Sequence, residues 1–295
     1  MPGASTLAAL RPMPELPEVE TTLRGIASHA VGRTVSEVRV HEHRLRWPIP
    51  TDLPERLIGR KLVRLDRRSK YLLFRLRQVR PVSSDREGTL LVHLGMTGSL
   101  RWYSADAALP ARRTHDHVDI RFDDDGVLRY HDPRRFGAIL WLDDPADEHP
   151  LLAKLGPEPF TPEFNARYLQ QALASRSTAI KLALMNNAVV VGVGNIYANE
   201  ALFRAGIRPT RASNRISRAR LERLVEAVRQ TLSEAIAKGG STLRDYVDSS
   251  GEPGYFQLDY FAYGRAGLPC RVCGRMLREA RLGGRATVFC TGCQR

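Results

Sequence analysis

All four cysteines of this 295-residue chain fall in its last 26 residues, as Cys270, Cys273, Cys290 and Cys293. The pattern is C-x2-C, sixteen residues, C-x2-C. Two such knuckles can place four thiolates tetrahedrally around one Zn²⁺. The same cysteines could instead form two disulfides or a redox pair. No apolar run reaches the roughly 20 residues needed to span a bilayer, and Met1–Pro12 holds one Arg and a short Ala/Leu stretch, unlike a signal peptide. A cytoplasmic location is therefore expected, where thiols stay reduced and disulfides are disfavoured. No βαβ context accompanies the cysteines, which argues against a redox pair. One zinc ion is expected, and a structural one, since four sulfurs leave no open position for chemistry.

The rest of the chain changes period near its middle. From Pro14 to about Asp144 it is strand-like, in TVSEVRVHE, KLVRLDRRSKYLLFRL, GTLLVHLGM, HVDIRF, GVLRYHD and GAILWL. One helix precedes these strands: Pro17 suits a first turn, Glu18 and Glu20 suit the positive end of its dipole, and Val19, Leu23 and Ile26 share a face. A Pro-rich passage, DDPADEHP to LGPEPFTP, leads into helical segments: PEFNARYLQQALAS, STAIKLALMN, IYANEALFRAG and RISRARLERLVEAVRQTLSEAIAKGG. No internal repeat or low-complexity stretch is present. The architecture read from pattern is a β-rich domain, then a helical domain carrying a zinc module.

Hydrophobic residues at 43% and charged residues at 26% describe a folded soluble protein. Lys and Arg number 45 against 32 Asp and Glu, a formal charge of +13. The cysteine module alone, 270–295, has six Arg and one Glu. Such a surplus favours a polyanion, whose counterions are released on binding; a merely basic surface explains it equally well.

The segment Met13-Pro14-Glu15-Leu16-Pro17-Glu18-Val19-Glu20 is the most informative. A helix start accounts for Glu18 and Glu20 but not for a second Met-Pro so near the beginning. Were Met13 an initiator trimmed before proline, Pro14 would present a secondary amine beside Glu15. Such an amine attacking a sugar C1′ gives an iminium ion and divides one hard step into two. Glu15 would supply the acid that opens the sugar ring.

MPELPEVETTLRGI resembles the start of formamidopyrimidine-DNA glycosylase, the bacterial family that removes 8-oxoguanine and ring-opened purines. The resemblance runs from Met13 to Arg295 through RRSKYLLF (67–74), HLGMTGSL (93–100), DPRRFG (132–137), LGPEPF (155–160), VVVGVGNIYANEALFRAGIRP (189–209), GGSTLRDYV (239–247), GYFQ (254–257) and the cysteine module. It implies an α+β fold: an N-terminal β-sandwich with flanking helices over 13–146, a helix-two-turns-helix domain over 147–264 and a zinc finger over 265–295. Residues 1–12 are an extension that the family lacks.

The resemblance also implies roles. Pro14 is the Schiff-base nucleophile, Glu15 the general acid/base, and Glu18 a second acid of the catalytic region or a helix-dipole partner. Lys70 and His93 contact DNA near the lesion. Met96, Arg134 and Phe136 fill the hole left by an everted nucleotide, the apolar pair replacing lost stacking and the arginine serving the orphaned base; on pattern alone, Met96 and Phe136 read as core residues. Asn195 binds backbone phosphate. Arg285, between the knuckles, grips phosphate with its fixed fork of donors at the catalytic site. Thr242 and Tyr246, on a loop hinged at Gly239 and Gly240, contact the extruded base. The implied activity is bifunctional, glycosylase and abasic-site lyase, on damaged double-stranded DNA, by a monomer away from membranes.

Two positions depart from the family. Pro14 lies inside a peptide bond in the full chain, so the active form is expected to begin at Pro14. Asn186-Asn187 stands where an acidic or Gln-containing pair is expected. His115, His117 and His131 could form a metal cluster, but their strand context favours structural or surface roles. The rival readings are the related endonuclease VIII type, acting on oxidised pyrimidines, and a DNA-binding factor without catalysis.

Overall fold

A computed structural model describes residues 14–79, 87–143, 145–239 and 260–295. Helix α1 (Leu16–Ala30) starts where its signals place it, with a proline in the first turn. The Glu18 carboxylate accepts the Glu15 backbone N–H at 2.9 Å, closing the first turn. Val19 and Ile26 enter one hydrophobic core while Leu16, at the N-terminal end, enters another. One helix thus straddles two cores.

Strand β1 (Val35–Val40) is followed by a short helix, α2 (Leu53–Leu57), that the strand-like reading of this half did not anticipate. Only Leu53 and Leu57 are buried there, too short a stripe to register as a helical period. Then come β2 (Arg60–Arg68), β3 (Tyr71–Gln78), β4 (Gly88–His93), β5 (Ser99–Tyr103), β6 (Asp116–Phe122), β7 (Val127–His131) and β8 (Ala138–Asp143). The single run KLVRLDRRSKYLLFRL folds back as a hairpin, β2 on β3, turning at Ser69 and Lys70 with Arg68 opposite Tyr71.

The strands form two antiparallel sheets, β2-β3-β4-β8 and β1-β6-β7-β5. Leu62, Phe74 and Leu90 of one face Val35, Ile120 and Leu128 of the other, so the sheets are a sandwich with a shared core. The central strands β3 and β4 are also covered on their outer face, where Leu73 and Leu91 meet Leu142, Ala146 and Leu152. Burial on both faces is why β4 reads as a near-continuous apolar run rather than an alternation.

The second half packs α3 (Ala166–Leu173), α4 (Ile180–Leu184), α5 (Asn195–Arg204) and α6 (Arg218–Ala237) around its own core. Asn165 caps α3, its side-chain oxygen accepting the Tyr168 N–H at 3.0 Å. Leu221, Leu224, Val228 and Leu232 line the buried stripe of α6. The cysteine module adds the hairpin β9 (Arg278–Leu282) and β10 (Arg285–Phe289). Its two-residue turn is Gly283-Gly284, both at positive φ, as a tight antiparallel turn demands. Among the described residues no helix is long and apolar enough to cross a membrane.

Candidate active site

The two halves meet at Glu15. Its side chain is 2% exposed and points at the N-terminus of α5. Gly194 N–H donates to Oε2 at 2.8 Å, Ile196 N–H to Oε1 at 3.0 Å and Tyr197 N–H to Oε2 at 3.4 Å. The unpaired amides that open a helix favour an anion, and here an internal carboxylate takes them. Gly194 permits this close approach, since a Cβ there would overlap the Glu15 carboxyl group as it stands. Burial nevertheless pushes the Glu15 pKa up to about 7, against the pull of the Lys70 ammonium and the α5 amides and with help from Glu18. Glu18 is buried in turn, accepting the Tyr197 hydroxyl at 2.7 Å. Pro14 lies half-buried immediately before this acid.

Lys70 faces the same centre. Burial lowers its pKa, opposed by Glu15 and Glu18 and aided by Arg285. It sits on the β2–β3 turn, where Ser69 adopts φ +58°, a conformation a non-glycine residue keeps only when its surroundings hold it. Glu158 provides the hold: it accepts Ser69 N–H at 2.7 Å, Arg68 at 3.0 Å and Arg67 at 2.8 Å. The LGPEPF passage thereby reaches back to set the turn that carries Lys70.

His93 ends β4 beside Tyr71, ring centres 5.0 Å apart. Gly95 N–H donates to its Nδ1 at 3.1 Å, which leaves the ring proton on Nε2. Burial first, then Lys70 and Arg46, push its pKa down to about 4, so it is a neutral donor. Phe136 is 43% exposed, and Met96 is half-buried; the reading of Phe136 as a core residue from pattern is corrected. The exposed Arg134 lies over the Phe136 ring at 4.6 Å.

The four cysteine sulfurs lie within 4.8 Å of one another, with Cys270–Cys293 at 3.9 Å and Cys273–Cys290 at 3.4 Å. A tetrahedral ZnS₄ site with bonds of about 2.3 Å needs sulfurs roughly 3.8 Å apart. The donor set therefore fits one structural zinc, and all four thiols are free. Arg285 opens β10, exposed at the tip of the hairpin, near enough to act on the charge of both Lys70 and Lys181. The finger tip thus lies within electrostatic reach of Lys70.

Residues absent from the sequence reading dock the finger. Lys181, fully buried, donates to Ala286 O at 2.7 Å and Thr287 Oγ1 at 2.8 Å. Glu200 collects the backbone N–H groups of Phe261, Ala262 and Tyr263 at 2.8, 2.9 and 2.8 Å, and Asn199 accepts Val288 N–H at 3.1 Å. The available signal was a charge or amide inside the otherwise apolar helical runs STAIKLALMN and IYANEALF. Asn195, expected at phosphate, is the first residue of α5; its Oδ1 is buried with no partner among the described residues.

The remaining expectations divide. His117 bonds the Asp132 carbonyl at 2.8 Å and His131 the Asp116 carboxylate at 2.7 Å. Among the described residues the cysteines are the only metal-capable group, and His117 and His131 have structural partners. Asn186 accepts Ala188 N–H at 3.0 Å and shapes the turn after α4. Thr242, Tyr246 and Gly240 lie outside the described residues.

A sandwich and a helical module that share α1 and meet around a buried acid, with a zinc finger docked on the helical module, define a two-module enzyme architecture. Three family models match in order: formamidopyrimidine-DNA glycosylase N-terminal domain over residues 13–139, the H2TH domain of the same enzyme over 155–247, and the zinc finger found in FPG and IleRS over 267–295. The formamidopyrimidine-DNA glycosylase of Thioalkalivibrio sulfidiphilus is 55% identical over 283 residues, covering 96% of this chain and all of its own. That of Methylococcus capsulatus is 54% identical with the same coverage. Among solved structures, the MutM (Fpg) protein of Thermus thermophilus superposes with TM-score 0.79 at 37% identity, covering 95% of this chain and 98% of that one. Lactococcus lactis Fpg in complex with abasic-site DNA gives 0.81 at 32%, covering 95% and 99%. The chain belongs to the formamidopyrimidine-DNA glycosylase family.

Proposed function

We propose that this protein is a base-excision-repair DNA glycosylase that removes oxidised purines from duplex DNA through an imine on Pro14, and then cuts the abasic strand. The observation that carries the reading is the buried Glu15 carboxyl, next to Pro14 and titrating near neutrality, facing Lys70, whose charge Arg285 also influences. The active form begins at Pro14, since an acylated proline nitrogen has no lone pair to give. It works as a monomer, in the cytoplasm, where bacterial DNA lies.

The Pro14 amine bonds to C1′ and loses its proton. The glycosidic nitrogen and O4′ leave C1′ in turn, each with its electron pair and a proton, the second expelled by the Pro14 lone pair as the iminium forms. Glu15 gives the proton to O4′. Removal of a 2′ proton from the iminium then expels the 3′ phosphate, and a second elimination expels the 5′ phosphate. Lys70 and neutral His93 bind the flanking phosphates. Met96, Arg134 and Phe136 occupy the stack vacated by the extruded base. Asn195 contributes a phosphate contact, and Thr242 and Tyr246 contact the extruded base.

Borohydride decides the chemistry. Enzyme whose N-terminus is shown by mass spectrometry to be Pro14 is expected to be trapped covalently on 8-oxoguanine DNA, while a form retaining Met1–Met13 binds and does not cut. Strand cleavage by the extended form, or cleavage by the Pro14 form with no reducible adduct, overturns the imine. An adduct on oxidised pyrimidines but not on 8-oxoguanine moves the enzyme to the endonuclease VIII type, and binding with no adduct from either form makes it a recognition factor.

A further inference from the structure

The three side chains assigned to the vacated stack come from two loops. Residues 94–98 join β4 to β5 and carry Met96; residues 132–137 join β7 to β8 and carry Arg134 and Phe136. One hydroxyl ties the loops together. Thr97 Oγ1 donates to Asp132 Oδ1 at 2.7 Å and accepts the Arg134 N–H at 3.2 Å. Asp132 is fully buried, and its second oxygen accepts Gly137 N–H at 2.9 Å and the Tyr130 hydroxyl at 3.3 Å. Its backbone carbonyl takes Arg135 N–H at 3.3 Å and the His117 ring nitrogen at 2.8 Å.

The loops are also pressed together. Gly95, at φ +66°, lies so close to the backbone of Phe136 and Gly137 that a Cβ there would clash with both. Arg135, between the two wedge residues, adopts φ +57°. Such a conformation in a bulky residue persists only where neighbours impose it. Its carbonyl accepts Arg46 N–H at 2.7 Å and its own N–H is held by Asp132. Arg134 and Phe136 are thus already stacked on each other while exposed to solvent.

We infer that Thr97 is a positioning residue for lesion excision: through Asp132 its hydroxyl locks the Met96 loop to the Arg134–Phe136 loop, so that the group entering the DNA stack is formed before DNA arrives. The inference rests on the assignment of those three side chains to the vacated stack. A pre-formed wedge spends no binding free energy on ordering itself, and more remains to unstack the lesion.

The test compares Thr97→Val, which keeps the shape and removes the hydroxyl, with Thr97→Ser, which keeps the hydroxyl. Duplexes carry 8-oxoguanine opposite C or A, with 2-aminopurine beside the lesion to report stacking. Thr97→Val is expected to lose about tenfold in single-turnover excision, the effect of one hydrogen bond to a charged group. It should also show a narrower C-over-A preference and a smaller 2-aminopurine change, with zinc content kept. Thr97→Ser should return excision to within about twofold of the parent enzyme. Arg134→Ala and Phe136→Ala serve as references. If they impair excision while Thr97→Val matches the parent in rate, preference and fluorescence, the lock is overturned and the wedge stands. If they too match the parent, wedge and lock fall together. If Thr97→Val melts far below the parent and Thr97→Ser rescues neither stability nor excision, the packing of the methyl group rather than the hydroxyl governs this site and the inference fails.

Discussion

Glu15 accepts three backbone amides and still holds its proton up to about pH 7, because removing a carboxylate from water costs more than those amides return. Glu15→Gln keeps the size but turns one acceptor into a donor facing the α5 amides. Its excision of 8-oxoguanine is expected to fall by about 10²–10⁴-fold. Cleavage of pre-formed abasic sites, whose sugar is already partly open, should suffer less; equal losses on both substrates would remove Glu15 from ring opening. Excision by the parent should decline as pH rises through about 7, where the acid loses its proton. The folded pKa lies above the ordinary value of 4.5, so the folded state holds an extra proton between 4.5 and 7. Stability from this group therefore falls as pH rises through that window. Melting of Glu15→Gln should lack that part of the slope. Met-Pro-Glu made the proposed nucleophile and acid legible, since that chemistry would lie in two adjacent residues. Nothing local announced that the acid would be neutral half the time at pH 7.

At the scale of elements, the zinc finger is a docked part rather than a hanging one. Lys181 from α4 grips β10 through Ala286 O and Thr287 Oγ1, and from α5 Glu200 holds the chain entering the module while Asn199 holds β10 itself. Burial first, with help from the Arg285 charge, pushes the Lys181 pKa down to about 8, and Glu15 pulls it the other way. Lys181→Met fills the same space and leaves two buried acceptors unpaired. It should cost about 2 kcal/mol of stability and speed amide exchange in β10, with zinc still bound. Unchanged exchange in β10 would show that other contacts dock the finger. The finger itself was legible from cysteine spacing, because metal geometry is written in short intervals. Its docking was not, because a lysine in an apolar run does not name its partner.

Across the whole molecule, α1 belongs to both modules: Leu16 is in the helical core, and Val19 and Ile26 are in the sandwich core. Between them Glu15 sits on α5, and Gly194 is the residue that lets it approach. Gly194→Ala would drive a methyl group into the Glu15 carboxyl. Excision should be lost and the melting transition lowered or split while zinc content is kept. A variant that excises normally would show that the contact between modules is adaptable.

Sequence alone determined the features whose causes are short-range: the strand and helix periods, the α1 start beside Pro17, the four-sulfur zinc site and the adjacency of Pro14 and Glu15. Each depends on residues a few positions apart. Only the tertiary structure decided what those groups meet. Glu15 and Gly194 are 179 residues apart, and Lys181 and Thr287 are 106 apart. It also decided that Phe136 is exposed rather than core, and that α2 exists. Burial, pKa and hydrogen-bond partners are properties of the assembled surroundings, which no period or spacing specifies.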